Sequence, residues 1–270
     1  MVIDFEYDGV KLSDLGYAIV SFDDVKGGEI NTDSQITFNH FPMMHGKHQP
    51  FSSYIYEDVL EMELYIAKNM CPSDDEEPTY TISVEDMAYL KRWLSRPTPH
   101  ELTLTGNNDY NGIFWRGSFK VEEYVVGGKR IGAHLTFECD APFGYKDKVT
   151  LSGYLAAMSV FGYNCTSDEI GWIYPKLTIT VRNSGDLSIG NTRESGRQTV
   201  INNCVAGEVI TFTENMQVHS SVQSHNVMDD FNFIFYRVCN SFDNTLNGLV
   251  SSLDIDYELE YTPYAKAVIV

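Results

Sequence analysis

The sequence lacks the short motifs that mark most enzymes. It contains no Gly-x-Ser-x-Gly segment, no His-Glu-x-x-His segment and no glycine-rich loop that leads from a strand into a helix. These motifs supply the nucleophile of many hydrolases, the ligands of zinc proteases and the phosphate cradle of nucleotide-binding enzymes. Their absence predicts a protein that is not an enzyme and that needs no cofactor.

Cysteine is scarce, and long apolar runs are missing. The cysteines form no Cys-x-x-Cys pair and are odd in number, at positions Cys71, Cys139, Cys165, Cys204 and Cys239. This spacing does not suit a zinc ribbon or a redox pair, and it predicts free thiols in a reducing cytosol. No apolar run approaches the ~20 residues that span a bilayer, and no basic segment precedes an apolar one at the start. We therefore expect no signal peptide and no membrane insertion.

Basic residues are half as numerous as acidic ones. Lys and Arg total 19 while Asp and Glu total 38, which gives a formal charge of −19. Nucleic acids and anionic membranes carry charge of the same sign, so we expect no specific binding to either. Two interpretations of the acidity stay open: it keeps the protein soluble, or it attracts a partner with a basic face.

Short alternating apolar runs fill the last third of the chain. Strands are predicted at 174–181, 209–213, 231–237 and 253–261. Turn formers such as Asn183-Ser184-Gly185 and Asn247-Gly248 separate these runs. The spacing is typical of a β-sandwich or a jelly roll.

The first half predicts one helix and one long hairpin. Ser83 can cap the helix with Asp86 completing a capping box, and Pro97 ends it. Apolar and polar residues alternate on both sides of Gly127-Gly128, which predicts a tight turn between two strands. Because each arm exceeds the usual strand of roughly 5–6 residues, the hairpin suggests a barrel or a ring-forming sheet.

Length and composition favour two domains. The chain has 270 residues, of which 43% are hydrophobic, enough for ordinary packed cores. The β-pattern breaks at residues 140–145, where proline and glycine occur. We therefore expect an N-terminal domain of residues 1–148 and a C-terminal domain of residues 149–270.

Few residues are candidates for a binding site. His40, His45 and His48 lie close together, but carboxylates and thiols are absent nearby, so we expect loop histidines and no metal site. Asp254 and Asp256 lie two apart on a predicted strand and share its solvent face, which does not suit a catalytic pair or a calcium site.

An aromatic pair is the remaining candidate site. Trp172 and Tyr174 flank a single isoleucine at the entry to the β-series. An exposed aromatic pair on a sandwich can stack on a sugar ring, and packing in a core or an interface is the alternative.

Several segments in the same order resemble the distal tail protein (Dit) family of long-tailed, siphovirus-type bacteriophages. They are the opening FEYDGVKLSDLGYAIVSFD at 5–23, the helical LKRWL at 90–94, LTFECDAPFGY at 135–145, GEVITF at 207–212, DFNF at 230–233 and DIDY at 254–257. The segment at 135–145 is the most specific of these.

The resemblance implies a fold. It implies a mainly β protein with an N-terminal β-barrel-like, ring-forming domain that carries one helix. A C-terminal β-sandwich of galectin-like or carbohydrate-module-like type would follow it.

The resemblance also implies a function. A hexameric ring, single or stacked, would act as a hub of the tail tip or baseplate, a structural role in host adsorption. Its partners would be the tail tube protein, the tail hub or tail-associated protein, and either a receptor-binding protein or host saccharide. Phage DNA would pass through the ring without specific binding. The protein would be a virion component assembled in the host cytoplasm. The alternative function is a carbohydrate-binding module that contacts host cell-wall saccharide.

Overall fold

A computed structural model describes residues 4–20, 34–38, 51–56, 59–69, 80–106, 110–240 and 246–266, with 34–38 and 51–56 as backbone. The chain divides into two compact units, and the second unit spans Lys146–Ala265. His40, His45, His48 and Cys71 lie outside the described residues.

The first unit is a sheet with a helix. Its elements are β1 (Asp4–Tyr7), β2 (Val10–Lys11), a 3₁₀ turn (Ser13–Leu15), β3 (Tyr17–Val20), β4 (Ser34–Phe38), β5 (Phe51–Tyr56), β6 (Glu61–Lys68), α1 (Val84–Leu94), β7 (His100–Thr105), β8 (Ile113–Val126), β9 (Lys129–Cys139) and β10 (Gly144–Lys146).

The main sheet of this unit is open. Its strand order is β2-β1-β7-β8-β9-β6-β3, with β10 beside β8, while β4 and β5 form a separate hairpin. The strands at the two ends, β2 and β3, are short and do not pair with each other. A mainly β unit with a helix is confirmed, but its sheet is not closed into the expected barrel. Helix α1, rather than closure, covers its apolar face.

The predicted hairpin is confirmed as β8 and β9. Phe119 pairs with Phe137 and Val121 pairs with Leu135, so the apolar residues of both arms share one face. Gly127 has φ 58° and Gly128 has φ 76°, values that suit the paired glycines of a two-residue hairpin turn.

Helix α1 begins with the predicted capping box. The Ser83 hydroxyl accepts a hydrogen bond from the Asp86 amide at 3.0 Å, and the Asp86 carboxylate accepts one from the Ser83 amide at 3.4 Å. Its buried residues Met87, Leu90, Trp93 and Leu94 belong to the same core as the apolar face of the hairpin. The Trp93 indole donates to the Tyr7 carbonyl at 3.1 Å and so satisfies its buried polar group.

The second unit is a β-sandwich. Its elements are β11 (Val149–Leu155), β12 (Val160–Tyr163), β13 (Gly171–Ile173), β14 (Lys176–Val181), β15 (Gly185–Asn191), β16 (Gln198–Cys204), β17 (Val209–Phe212), β18 (Val218–Ser220), α2 (Val227–Asp230), β19 (Val238–Asn240), β20 (Asn247–Ser251), β21 (Ile255–Tyr261) and β22 (Tyr264–Ala265).

Two sheets enclose the core of this unit. One has the order β11-β21-β14-β17-β18 and the other has the order β12-β20-β15-β16. Ile179 from the first sheet and Leu187 and Ile189 from the second belong to one buried cluster. The strands β13 and β19 form a separate two-stranded ribbon. The predicted sandwich is therefore confirmed.

The predicted strand at 231–237 is wrong. Helix α2 ends at Asp230, and the chain then runs irregularly to β19. Asn232 fixes this path, because its side chain accepts from the Val200 amide at 3.1 Å and donates to the Gln198 carbonyl at 2.8 Å. Phe233 adopts a left-handed φ of 58°, which breaks the extended backbone.

Candidate functional site

The ribbon of β13 and β19 presents Trp172 at the surface. Trp172 pairs with Cys239, and Ile173 pairs with Val238. Because side chains alternate along a strand, Ile173 points into the core while the Trp172 side chain lies 40% exposed. The structure thus places this predicted site residue where a ligand can reach it.

Arg237 joins the two predicted aromatic residues. Its guanidinium carbon lies 3.8 Å from the centroid of the Trp172 ring. Tyr174 is half-buried and contributes a side-chain hydrogen bond to Arg237. The Arg237 Nε also donates to both carboxylate oxygens of Glu194, at 2.9 and 3.0 Å. We call Trp172, Tyr174, Glu194 and Arg237 the Trp172 platform.

Glu194 is shared by two arginines, because Arg197 lies 3.7 Å from it in addition to the bidentate Arg237. The Glu194 hydrogen bonds, followed by that of Tyr174, outweigh burial and raise the pKa of Arg237 above its ordinary value. A fork-to-fork pair of this kind fixes both side chains in orientation. Arg237 therefore stacks on one face of Trp172 as a rigid support that is paired with Glu194.

Two buried asparagines hold the ribbon in place. Asn247 accepts from the Cys239 amide at 2.8 Å and donates to the Cys239 carbonyl at 2.9 Å. Asn191 donates to the Arg237 carbonyl at 2.9 Å and to the Asn247 side chain at 2.7 Å.

The prediction of a turn at Asn247-Gly248 is wrong, because Asn247 begins β20 and pairs with Tyr163. Sequence reasoning missed the roles of both asparagines, of Glu194 and of Arg237.

Other polar clusters of this unit are saturated by their neighbours. Arg182 donates to both oxygens of Asp256, at 2.7 and 2.9 Å, and these hydrogen bonds hold the pKa of Asp256 below its usual range. The Ala157 amide, followed by the Asn183 side chain, lowers the pKa of Asp254 in the same way. Within the described ranges, no three histidine, cysteine or acidic side chains group as metal ligands.

The end of the β8–β9 hairpin is one exposed feature of the first unit. Strand β6 pairs with β9 only from Ala133 onward, so the arms extend past it. Glu123 ties the arms to α1 through Lys91 at 3.0 Å and also binds Arg130 at 2.6 Å. Beyond this point Val125 and Val126 are 52% and 53% exposed. We call residues 125–129 the hairpin tip.

Sequence comparison identifies the class of protein that carries this fold and these surfaces. Residues 1–141 match a family described as the phage tail protein N-terminal domain. Residues 143–261 match a family described as the phage tail C-terminal domain. The chain is therefore a structural protein of a phage tail. It belongs to the family defined by this N-terminal domain, which covers more than half of its length. No curated protein matches the sequence.

A solved structure shares the whole fold. The crystal structure of the SPP1 Dit protein covers 97% of this chain, and the match includes 99% of the Dit chain, with a TM-score of 0.64 and 13% identity. That protein is described as a paradigm of the hub adsorption apparatus in phages that infect Gram-positive bacteria. The predicted resemblance to distal tail proteins is confirmed. In the part of the chain that the structure describes, no helix is long and apolar enough to cross a membrane.

Proposed function

We propose that this chain forms a hexameric ring, a hub at the tail tip that joins the tail tube to the host-adsorption apparatus. The observation that carries this proposal is the Dit-like fold over 97% of the chain, together with phage tail domains in both halves. The role is structural rather than enzymatic. In this proposal residues 1–148 form the ring and residues 149–270 form a peripheral, galectin-like domain.

The open sheet of the first unit supports self-association. Strands β2 and β3 each have one side without a strand partner among the described residues. Unpaired backbone donors and acceptors at sheet edges are natural contact sites for another chain. Two different surfaces that meet head to tail generate a ring when the rotation closes. The hairpin tip adds exposed valines to such a contact.

The assembly is tested by the mass of the purified full chain. Native mass spectrometry is expected to show a hexamer, alone or as stacked rings. A monomer that persists at high concentration, and that forms no ring with the tail tube and hub proteins of the same phage, would contradict the proposal.

The proposed partners follow from the hub role. They are the tail tube protein, the tail hub or tail-associated protein, and either a receptor-binding protein or host saccharide on the C-terminal domain. The protein would be assembled in the host cytoplasm and end in the virion. With a net charge of −19, a ring wall of the same sign as DNA would let phage DNA pass without binding it. A basic inner wall would contradict this point.

A second candidate function is saccharide binding at the Trp172 platform. One face of Trp172 is covered by Arg237, while the residue as a whole is 40% exposed. Sugar rings stack their apolar faces on such aromatic surfaces. Stacking on the Trp172 ring requires no charge on the sugar, and Arg237 is already paired with Glu194, so we expect neutral saccharides as the ligands.

Glycan binding tests this second function. We expect the full chain to bind neutral cell-wall saccharides on a glycan array, and Trp172→Ala to abolish that binding. Tyr154→Ala is the matched control, since Tyr154 is also exposed and also stacks with an arginine, Arg182. Equal losses in both variants, or no binding by the original chain, would contradict a sugar site at the platform.

A further inference from the structure

A buried ionic cluster lies in the second unit, in residues other than those of the Trp172 platform. The Glu208 side chain is 0% exposed and the His225 side chain is 7% exposed. The His225 Nδ1 lies 2.6 Å from the Glu208 Oε1. The Ser220 hydroxyl donates to the same oxygen, and the Val205 amide donates to the Glu208 Oε2 at 2.9 Å. Glu208 is thus a buried carboxylate held entirely by protein donors.

Both nitrogens of His225 face carboxylates. On the other side of the ring, Nε2 lies 3.2 Å from the Asp230 Oδ2. A neutral imidazole carries a proton on one nitrogen only, and its second nitrogen would then present a lone pair to a carboxylate oxygen, which has no proton to donate. The arrangement therefore favours the imidazolium, which makes a hydrogen bond to Glu208 through Nδ1, while Nε2 has no hydrogen-bond partner among the described residues and is held near Asp230 by charge alone.

The neighbouring titratable groups reinforce this preference. The charged groups that act on His225 are Glu208 and Asp230, and Asp186 of β15 acts with these two on the Cys204 thiol at the end of β16; none of the three is a cation. Burial, followed by the nearby Glu208, raises the pKa of Cys204 to about 11, so that thiol stays neutral. Burial favours neutral His225, but the hydrogen bond and charge of Glu208, followed by the charge of Asp230, outweigh it and raise its pKa.

His225 anchors the segment that links β18 to the end of α2. We call residues 221–230 the latch segment. The Ser221 amide donates to the Val209 carbonyl at 2.9 Å, and Asp230 accepts from Asn203 at 2.9 Å, which fixes the two ends. Between these ends, His225 joins the segment to Glu208, the residue that precedes β17. The middle of the segment therefore depends on this ion pair and on buried Val227.

We propose that protonated His225 is a pH-sensitive latch, which fastens residues 221–230 to the turn before β17 and releases them when it loses its proton, while both sheets stay folded. This proposal does not depend on the ring. The contribution of protonated His225 is fully present below about pH 6.5, the ordinary histidine pKa. It is lost as the pH rises through the raised pKa that His225 has in the folded chain. The fold lowers the pKa of Glu208, so the contribution of its carboxylate to the latch is present above about pH 4.5. That contribution is lost as the pH falls through the pKa that Glu208 has in the folded chain.

Hydrogen exchange of the full chain tests the latch. The measured quantity is the ratio of amide exchange rates in residues 222–229 between His225→Gln and the original chain at one pH, which cancels the intrinsic effect of pH. At about pH 6 we expect a ratio of about tenfold or more, and at about pH 9 a ratio near one. His219→Gln is the matched control, because His219 is exposed on β18, and it is expected to leave the ratio near one throughout.

Two results would overturn the latch. An equal increase at both pH values would assign His225 a packing role that is independent of its proton, and no increase at either value would show that it fastens nothing. If His225→Gln also accelerates exchange in β14 and β21, the variant has unfolded the sandwich. In that case Asp230→Asn is the deciding variant. It removes one of the two carboxylates that face His225, so residues 221–230 are expected to open at a lower pH in this variant than in the original chain. An unchanged midpoint would refute the proposal.

Discussion

At the scale of single residues, the Asn247 side chain takes the place of a neighbouring strand. Its amide supplies one acceptor and one donor to the backbone of Cys239, as a paired residue in a sheet would. It is 1% exposed, so water cannot replace these bonds. Asn247 is therefore one of the buried side chains that fix the position of the ribbon that carries Trp172, together with Asn191.

Asn247→Leu is expected to destabilise the second unit. The change removes the side-chain partner of the Cys239 amide and carbonyl and one of the two acceptors of the Asn191 amide, the other being the Arg237 carbonyl. Each unsatisfied buried group costs about 1–3 kcal/mol, so we expect a loss of about 2–4 kcal/mol in the free energy of unfolding. Urea denaturation measures it. Asn202→Leu, at an exposed position of β16, is the control and is expected to change the free energy by less than about 0.5 kcal/mol. Equal effects would show that the Asn247 bonds are not the cause.

The sequence reveals the candidate Trp172 but not its partners. The Trp172–Tyr174 pair is visible because both residues flank a single isoleucine in a short segment. Glu194 and Arg237 are distant from that segment, and each is an ordinary surface residue by type. Their bidentate pair forms only when β15, the ribbon and the following loops are in place, so no local pattern contains it.

At the scale of elements, the β8–β9 hairpin leaves no room for a side chain at Gly117. A Cβ atom there would lie 2.1 Å from the Glu138 carbonyl oxygen and 2.8 Å from the Phe137 ring. The first neighbour is backbone and cannot rotate away. Position 117, which pairs with Cys139, therefore requires glycine because a side chain has no space there. The backbone angles are not the reason.

Gly117→Ala is expected to destabilise the first unit by about 3 kcal/mol, since overpacking forces the strands apart. Thermal unfolding monitored by circular dichroism measures the change. Gly190→Ala is the control, because its nearest neighbours lie at 3.8 Å and accept a methyl group. A Gly117→Ala chain that unfolds at the original temperature would refute the close contact between the arms.

Local signals predict α1 and the hairpin but fail after α2. The capping box of Ser83 and Asp86 and the glycines of the turn act within a few residues, so sequence shows them directly. Residues 231–237 alternate as a strand does, yet Asn232 bonds to the edge strand β16 and overrides the pattern. Tertiary hydrogen bonds of this kind have no local signature.

At the scale of the whole molecule, composition and turn spacing predict two β-rich parts, and the structure contains two compact units. Whether a sheet closes into a barrel depends on the pairing of strands far apart in sequence. The two end strands β2 and β3 are separated by β1, β7, β8, β9 and β6 in the sheet order. Nothing in a single segment encodes that order, so the open sheet was not predictable.

The hairpin tip offers a test of assembly that spares the fold. Val125 and Val126 are exposed, so replacing both by glutamate is expected to leave the unfolding temperature nearly unchanged. In a head-to-tail ring of acidic subunits the new glutamates would be repelled by the neighbouring subunit and would lose the apolar contact of the valines, and we expect at least about a tenfold weaker association by analytical ultracentrifugation. Val84→Glu, at an exposed valine that begins α1, is the control and is expected to assemble normally. Normal assembly of the double variant would exclude the tip from the contact.

Electron microscopy of the purified full chain tests the hub role most directly. We expect class averages that show a closed hexameric ring with a central opening wide enough for duplex DNA. Particles of the size of a single subunit, or open filaments without closure, would contradict the account.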